Sequence, residues 1–180
     1  MIDLPAIALS VRQPWAWAIV AGHKKIENRS TGSIAAGNMR TGRIAIHAAS
    51  GLKEDEFRWG HWRLMRHGVS CPRPDALVRS AIIGAVDVVD IVSESDSEWF
   101  GGEKGLVLAN AEMCDPIPCV GALGYFAWTQ SGTFSEVKPW MRSYDLPSGD
   151  AQTGELFPEL PPSFEHDPTR PRRSTKRGRD

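Results

Sequence analysis

The sequence predicts an α+β fold: a small, closed or nearly closed β-barrel of about six mixed strands, with two or three helices packed outside it. Three observations lead there. Short β-branched runs bounded by turn residues recur along the chain, two segments carry helix-like spacing and stop signals, and strands and helices do not alternate as a doubly wound parallel sheet requires. At 180 residues, with 41% hydrophobic and 24% charged side chains, the chain can bury one core without disulfide staples.

The elements follow in order. AIALSV (6–11) alternates weakly and reads as a strand. RQPWAWAIVAG (12–22) reads as a short helix, with Pro14 suited to the first helical position and Gly22 to the stop. KIENRS (25–30) is extended. TGRIAIHAA (41–49) is the cleanest strand, with Ile44, Ile46 and Ala48 on a core face and Arg43, Ala45 and His47 on the other, which faces a pocket. LKEDEFRWGHWRLMRHG (52–68) is helical, with Phe57, Leu64 and Met65 inward and Gly60 weakening it, and SCPRPD breaks it off. SAIIGAVDVVDIV (80–92) is long enough for a buried strand interrupted by Asp87 and Asp90. GLVLANA (105–111) and IPCVGALGYFAW (117–128) are further strands, the second bent at Gly121 and Gly124. Beyond Trp128 the chain is loop-like, with Trp140 and Met141 pinning it to the body.

This organisation divides the chain into a domain over 1–140, an extension over 141–160 and a basic tail over 161–180. The tail holds six Arg/Lys against three Asp/Glu, near +3, so the formal −1 of the whole chain leaves the rest near −4. Rich in Pro, Ser and Thr, the tail is expected to be disordered, either a solubilising terminus or a phosphate-seeking arm. An acidic body suits a small pocket better than a long nucleic-acid groove.

Cys71, Cys114 and Cys119 show no C-x-x-C spacing, and His23, His61, His67 and His166 show no metal-ligand spacing, so reduced packing thiols and no metal are expected. No cofactor is implied: neither a G-x-x-x-x-G-K loop nor a dinucleotide G-x-G-x-x-G fingerprint occurs, which argues against nucleoside-triphosphate hydrolysis and hydride transfer. The opening MIDLPAIALS lacks the charge and apolar core of a signal peptide, and no run approaches a membrane span; a cytoplasmic location is the expectation.

GHKKIENRS (22–30) concentrates the chemistry. If Gly22 ends the helix, His23, Lys24 and Lys25 lie in the turn, and Glu27 and Arg29 share one side of the following strand. A lysine, a carboxylate and a guanidinium then converge at one lip of the barrel. The cations can hold phosphate or polarise a carbonyl, the glutamate can orient the lysine or move a proton, and nearby tryptophans can stack a base. The plainer alternative is a same-face salt bridge between Glu27 and Arg29.

The pattern G-x-K-x-x-E-x-R, standing as Gly22, Lys24, Glu27 and Arg29, resembles the signature of the ASCH domain family, relatives of the PUA domains of RNA-modifying proteins. The blocks LSVRQPWAWAIVAGHKKIENRS, GRIAIHAA, IIGAVDVVDIV, EWFGGEKGLVLANA and IPCVGALGYFAW are similar, in order, to the branch with an R-Q-P-W opening, so the resemblance covers roughly residues 6–128. It implies a PUA-like barrel whose cleft takes RNA, another single-stranded nucleic acid, a nucleotide or a modified nucleoside. It places Lys24, Glu27 and Arg29 in the cleft, with Arg12, Gln13 and Trp15 framing it. His47 is expected to look into the same space, and Trp99 and Phe100 to supply a stacking wall, a lid or a hydrophobic plug.

Three functional readings stand on this pattern. The first is a binding module for RNA or a modified nucleotide. The second is a hydrolase, either an N4-acylcytidine amidohydrolase or a ribonuclease, with Lys24 and Glu27 catalytic. Family amidohydrolases pair the motif lysine with a threonine three positions later, where this chain has Glu27; their later glutamate has Glu94, Glu98 and Glu103 as counterparts here. A carboxylate at that position would activate water rather than attack a carbonyl. The third reading is a module for a protein partner.

Overall fold

The computed structural model describes residues 2–145; the rest of the extension and the whole basic tail lie outside the described residues. The elements are β1 (Ile7–Val11), α1 (Trp15–Val20), β2 (Ile26–Arg29), α2 (Thr31–Ala36), β3 (Gly42–Ala48), α3 (Glu54–Arg66), β4 (Ala81–Val92), β5 (Lys104–Pro118), β6 (Tyr125–Ala127) and α4 (Pro139–Arg142). The strands form one six-stranded mixed sheet in the order β2-β5-β4-β3-β1-β6, with β1 and β3 parallel and the other neighbours antiparallel. This is the expected α+β architecture.

The sheet curls until its two ends meet through side chains and a helix. Arg29, on edge strand β2, donates from Nη2 to the Ser10 carbonyl of β1 at 3.0 Å. The chain leaving β2 enters α2, and the carbonyl of Gly37 just beyond α2 accepts the Tyr125 amide of β6, the opposite edge, at 3.0 Å. Covering an edge in this way limits pairing with other chains.

Two expectations need correction. The described residues contain four helices rather than two or three. The unexpected α2 has the sequence TGSIAA, buries none of its residues, and is nucleated by Ser30, whose side chain accepts the Ser33 amide at 3.1 Å. Capping, not an apolar stripe, makes this helix, so periodicity misses it. The second correction concerns β5, which joins GLVLANA to the following EMCDPIP in one strand of 15 residues. Its second half is largely exposed, so the apolar signal fades while the pairing with β4 continues. IPCVGALGYFAW therefore splits into the end of β5, a loop, and the short β6.

The main core lies between the sheet and α1, α3 and α4. Leu9, Ile46, Val86 and Leu106 of the sheet join Ile19 of α1, Phe57 and Leu64 of α3, and Met141 of α4. Burying each such side chain contributes about 1.5–3 kcal/mol. Of the residues expected to pin the extension, Met141 is fully buried and Trp140 is partly buried, its ring 6.2 Å from Phe57. β3 is buried on both faces, because Ala45 joins Ala8 and Ile82 in a second, smaller cluster. Within β4, Asp87 is accommodated by Arg43 at 3.0 Å and Asn110 at 2.7 Å. The three cysteines are free; Cys71 is buried, and burial pushes its thiol up to about 12, as expected of a packing side chain.

Candidate functional site

Helix α1 and the turn after it deliver the charged motif. Gly22 takes a left-handed φ of +80°, and the amides of His23 and Lys24 both donate to the Ala18 carbonyl, closing the helix end. The turn leaves Lys25 exposed and sends Lys24 inward, where it is 5% exposed. Its Nζ donates to Glu27 Oε2 at 2.7 Å and to the Ile26 carbonyl. Two residues further along β2, the Arg29 Nη2 lies 3.1 Å from Glu27 Oε1. One carboxylate is thus held between two cations, and the guanidinium bridges on to Ser10.

This row forms part of the wall of a cavity of about 920 Å³, within the usual size of a small-ligand site. Four cationic side chains line it, Arg12, Lys24, Arg29 and Lys53, against two carboxylates, Glu27 and Glu56. The cleft is therefore cationic on a body that is acidic overall. Apolar Val120 and Leu123 line the same space and are exposed, Leu123 almost completely.

The electrostatics follow from burial and pairing. Burial alone would raise the Glu27 carboxyl, but Lys24 and Arg29 outweigh it and hold the group below its ordinary value. Burial lowers the Lys24 ammonium, with Glu27 opposing the shift. His47 is lowered by burial as well and is neutral at pH 7. Its Nε2 lies 2.9 Å from the Cys119 carbonyl and its Nδ1 lies 3.0 Å from Ser10 Oγ.

The structure brings Lys24, Glu27, Arg29, Arg12, Trp15 and His47 to one cavity and leaves three expected residues outside its lining. Gln13 is buried, donating to the Val78 carbonyl at 2.8 Å and accepting the Trp17 amide at 3.0 Å, so it anchors α1. Trp99 packs behind Trp15, its ring 4.0 Å from His67 and within cation–π range of Arg63. Phe100 packs against Gly105 of β5. Asn28, not singled out from the sequence, fixes this segment: its side chain donates to the Trp99 carbonyl and accepts the Gly101 amide. Trp15 is 7% exposed with Lys24 Nζ 5.8 Å from its ring centre, so it backs the lysine rather than presenting an open stacking face.

Sequence reasoning missed Ser10, Lys53, Glu56 and Gly121. Glu56, from the first turn of α3, pairs with Arg12 across the cleft mouth. None of Glu94, Glu98 and Glu103 lines the cavity; Glu98 lies against His67, and Glu103 accepts the Thr31 amide at the start of α2. The spacing of Glu56 within a helix signalled only an ordinary acidic first turn. Among the described residues, no group of three or more His, Cys, Asp or Glu is placed to hold a metal, and no helix is long and apolar enough to cross a membrane.

Comparison with known proteins adds a family. The ASCH domain model matches residues 9–140. Among solved structures, the chain is similar to a serine-to-alanine mutant of ZmASCH from Zymomonas mobilis, with a TM-score of 0.34 and 19% identity over 62% of this chain and 72% of that one. It is likewise similar to ASCH from Zymomonas mobilis, with a TM-score of 0.32, 19% identity and the same coverage. No curated protein matches.

Proposed function

The chain belongs to the ASCH domain family, and from that premise we propose that its cleft binds single-stranded RNA or a modified nucleotide drawn from it. One observation carries the reading: the row of buried Lys24 with half-buried Glu27 and Arg29 stands in the wall of a cavity whose lining is cationic although the chain as a whole is not. Cations held rigid by a shared carboxylate lose little side-chain entropy on meeting a phosphate, and a guanidinium fork matches phosphate geometry. Arg12 and Lys53 extend the phosphate path to the mouth, and exposed Val120 and Leu123 offer apolar surface to a base.

Fluorescence anisotropy of a labelled oligoribonucleotide, titrated at several salt concentrations, tests this. Arg29→Ala is expected to weaken binding about tenfold or more and to reduce the salt slope by ~0.7. Arg58→Ala, an exposed α3 arginine paired with Glu54 and outside the cavity lining, serves as the control and should bind like the wild type. Equal affinities for all three proteins would remove the reading.

The hydrolase reading has one observation in its favour, the burial that lowers the Lys24 ammonium and makes it a readier proton donor. Against it, Glu27 is held ionised by two cations, which makes it a weak base for activating water. Chromatography of N4-acetylcytidine incubated with the protein separates the two: the binding reading expects no cytidine. Cytidine formed by the wild type and not by Lys24→Ala would establish the hydrolase.

A further inference from the structure

We propose that Ser10 and His47 act as nucleophile and general base in the wall of the cleft, on a carboxylic ester carried by an anionic molecule. The two residues are register partners on the parallel strands β1 and β3, so their side chains stand together on one face. Ser10 Oγ lies 3.0 Å from His47 Nδ1, and His47 Nε2 lies 2.9 Å from the Cys119 carbonyl. A carbonyl only accepts, so Nε2 carries the ring proton. Nδ1 then holds the lone pair, and the serine hydroxyl donates to it. This is the order of parts that activates a serine: a nucleophile bonded to a base whose other nitrogen is held by a third group.

Three further features distinguish the pair from a histidine that only satisfies its own hydrogen bonds. Both residues line the cavity. The Arg29 guanidinium is bonded to the carbonyl of Ser10 itself, which sets a cation beside the nucleophile for the negative charge that develops on an attacked carbonyl oxygen. The loop crossing the pair has glycine at the crossing point: a Cβ on Gly121 would lie 2.4 Å from His47 Cε1, 2.7 Å from Nδ1 and 2.8 Å from Ser10 Oγ. Only glycine lets the loop backbone pass this close to the two reacting atoms, and any side chain at position 121 would press on both.

The step balances without a cofactor. Ser10 Oγ loses its proton to His47 Nδ1 as the Oγ–C bond to the ester carbonyl forms. Collapse of the tetrahedral intermediate breaks the bond to the leaving alcohol, which takes the proton from Nδ1. Water then gives a proton to Nδ1 as its oxygen bonds to the acyl carbon; the acyl–Oγ bond breaks, Oγ takes the proton back from Nδ1, and the carboxylic acid leaves with Ser10 and His47 restored. The anionic nature of the carrier rests on the cleft reading proposed above; the serine chemistry does not.

p-Nitrophenyl acetate is therefore the probe, because an uncharged ester needs no phosphate contact. A failed RNA titration would leave this proposal standing, and a failed acylation would leave the binding reading standing. The full chain is incubated with the ester, quenched in acid, digested and mapped by mass spectrometry, while p-nitrophenolate release is followed optically. Acetyl is expected on the peptide containing Ser10, and Ser10→Ala, checked for an unchanged Tm, should release p-nitrophenolate about 100-fold more slowly. Gly121→Ala, in an exposed loop, should fold and also lose the Ser10 adduct. Acetyl found on lysines but not on Ser10 in the wild type would overturn the proposal without recourse to any variant.

Discussion

Glu27→Ala is expected to lose about 3–5 kcal/mol of stability, because it leaves Lys24 and Arg29 facing each other without the carboxylate that joins them. For a protein of this size the corresponding fall in Tm is on the order of 10 °C. Glu27→Gln, which keeps one accepting oxygen but replaces the other with an amide nitrogen that only donates, and carries no charge, should fall between the wild type and Glu27→Ala. Acid dependence provides a second signature. Since the folded carboxyl is held below its ordinary 4.5, its contribution is fully present above that pH and is lost as pH falls through the folded value. Urea unfolding of the wild type and Glu27→Gln should show a stability gap at about pH 6 that closes as the pH is taken below 4.5. A gap independent of pH would mean that charge is not what Glu27 contributes.

Gly84→Ala is expected to be comparably damaging, although it adds only one methyl group. The new Cβ would lie 2.2 Å from the Glu112 carbonyl of β5 and 2.8 Å from Val20 Cγ1 of α1. Backbone on one side cannot yield without breaking the β4–β5 pairing, and α1 on the other side carries Trp15 and leads directly into the Lys24 turn. Overpacking of this kind costs about 1–3 kcal/mol, with the upper end expected where backbone is the obstacle. Because α1 must move to make room, RNA affinity should fall along with stability. Thermal unfolding and the anisotropy titration together check this; an unchanged Tm would show that the sheet absorbs the methyl group at no cost.

The parts of the molecule that could be read in advance are those set by local geometry. Gly22 stops α1 because a left-handed residue is what a helix end needs, and Glu27 meets Arg29 because side chains two apart in a strand share a side. The ends of β1, β2, β3 and β4 lie close to their expected positions because β-branched runs between turn residues mark them. α2 left no such mark because it has a cap and no apolar stripe, and the second half of β5 left none because it is exposed while still paired.

Residue identity, periodicity and spacing therefore determined the strands, the helix that presents the motif, and the ion row of β2 with its carboxylate in the middle. They could not determine what faces that row. Ser10 and His47 are 37 residues apart and meet only through the parallel register of β1 and β3; Arg12 and Glu56 are 44 apart and meet only where α3 packs beside the cleft. The curl of the sheet carries Arg29 to the Ser10 carbonyl, while contacts with Asn28, His67 and Gly105 hold Trp99 and Phe100 outside the cavity lining and Trp15 is buried behind Lys24. Contacts between distant segments depend on how a whole sheet twists and which residues share its register, and no local stretch of chain encodes that.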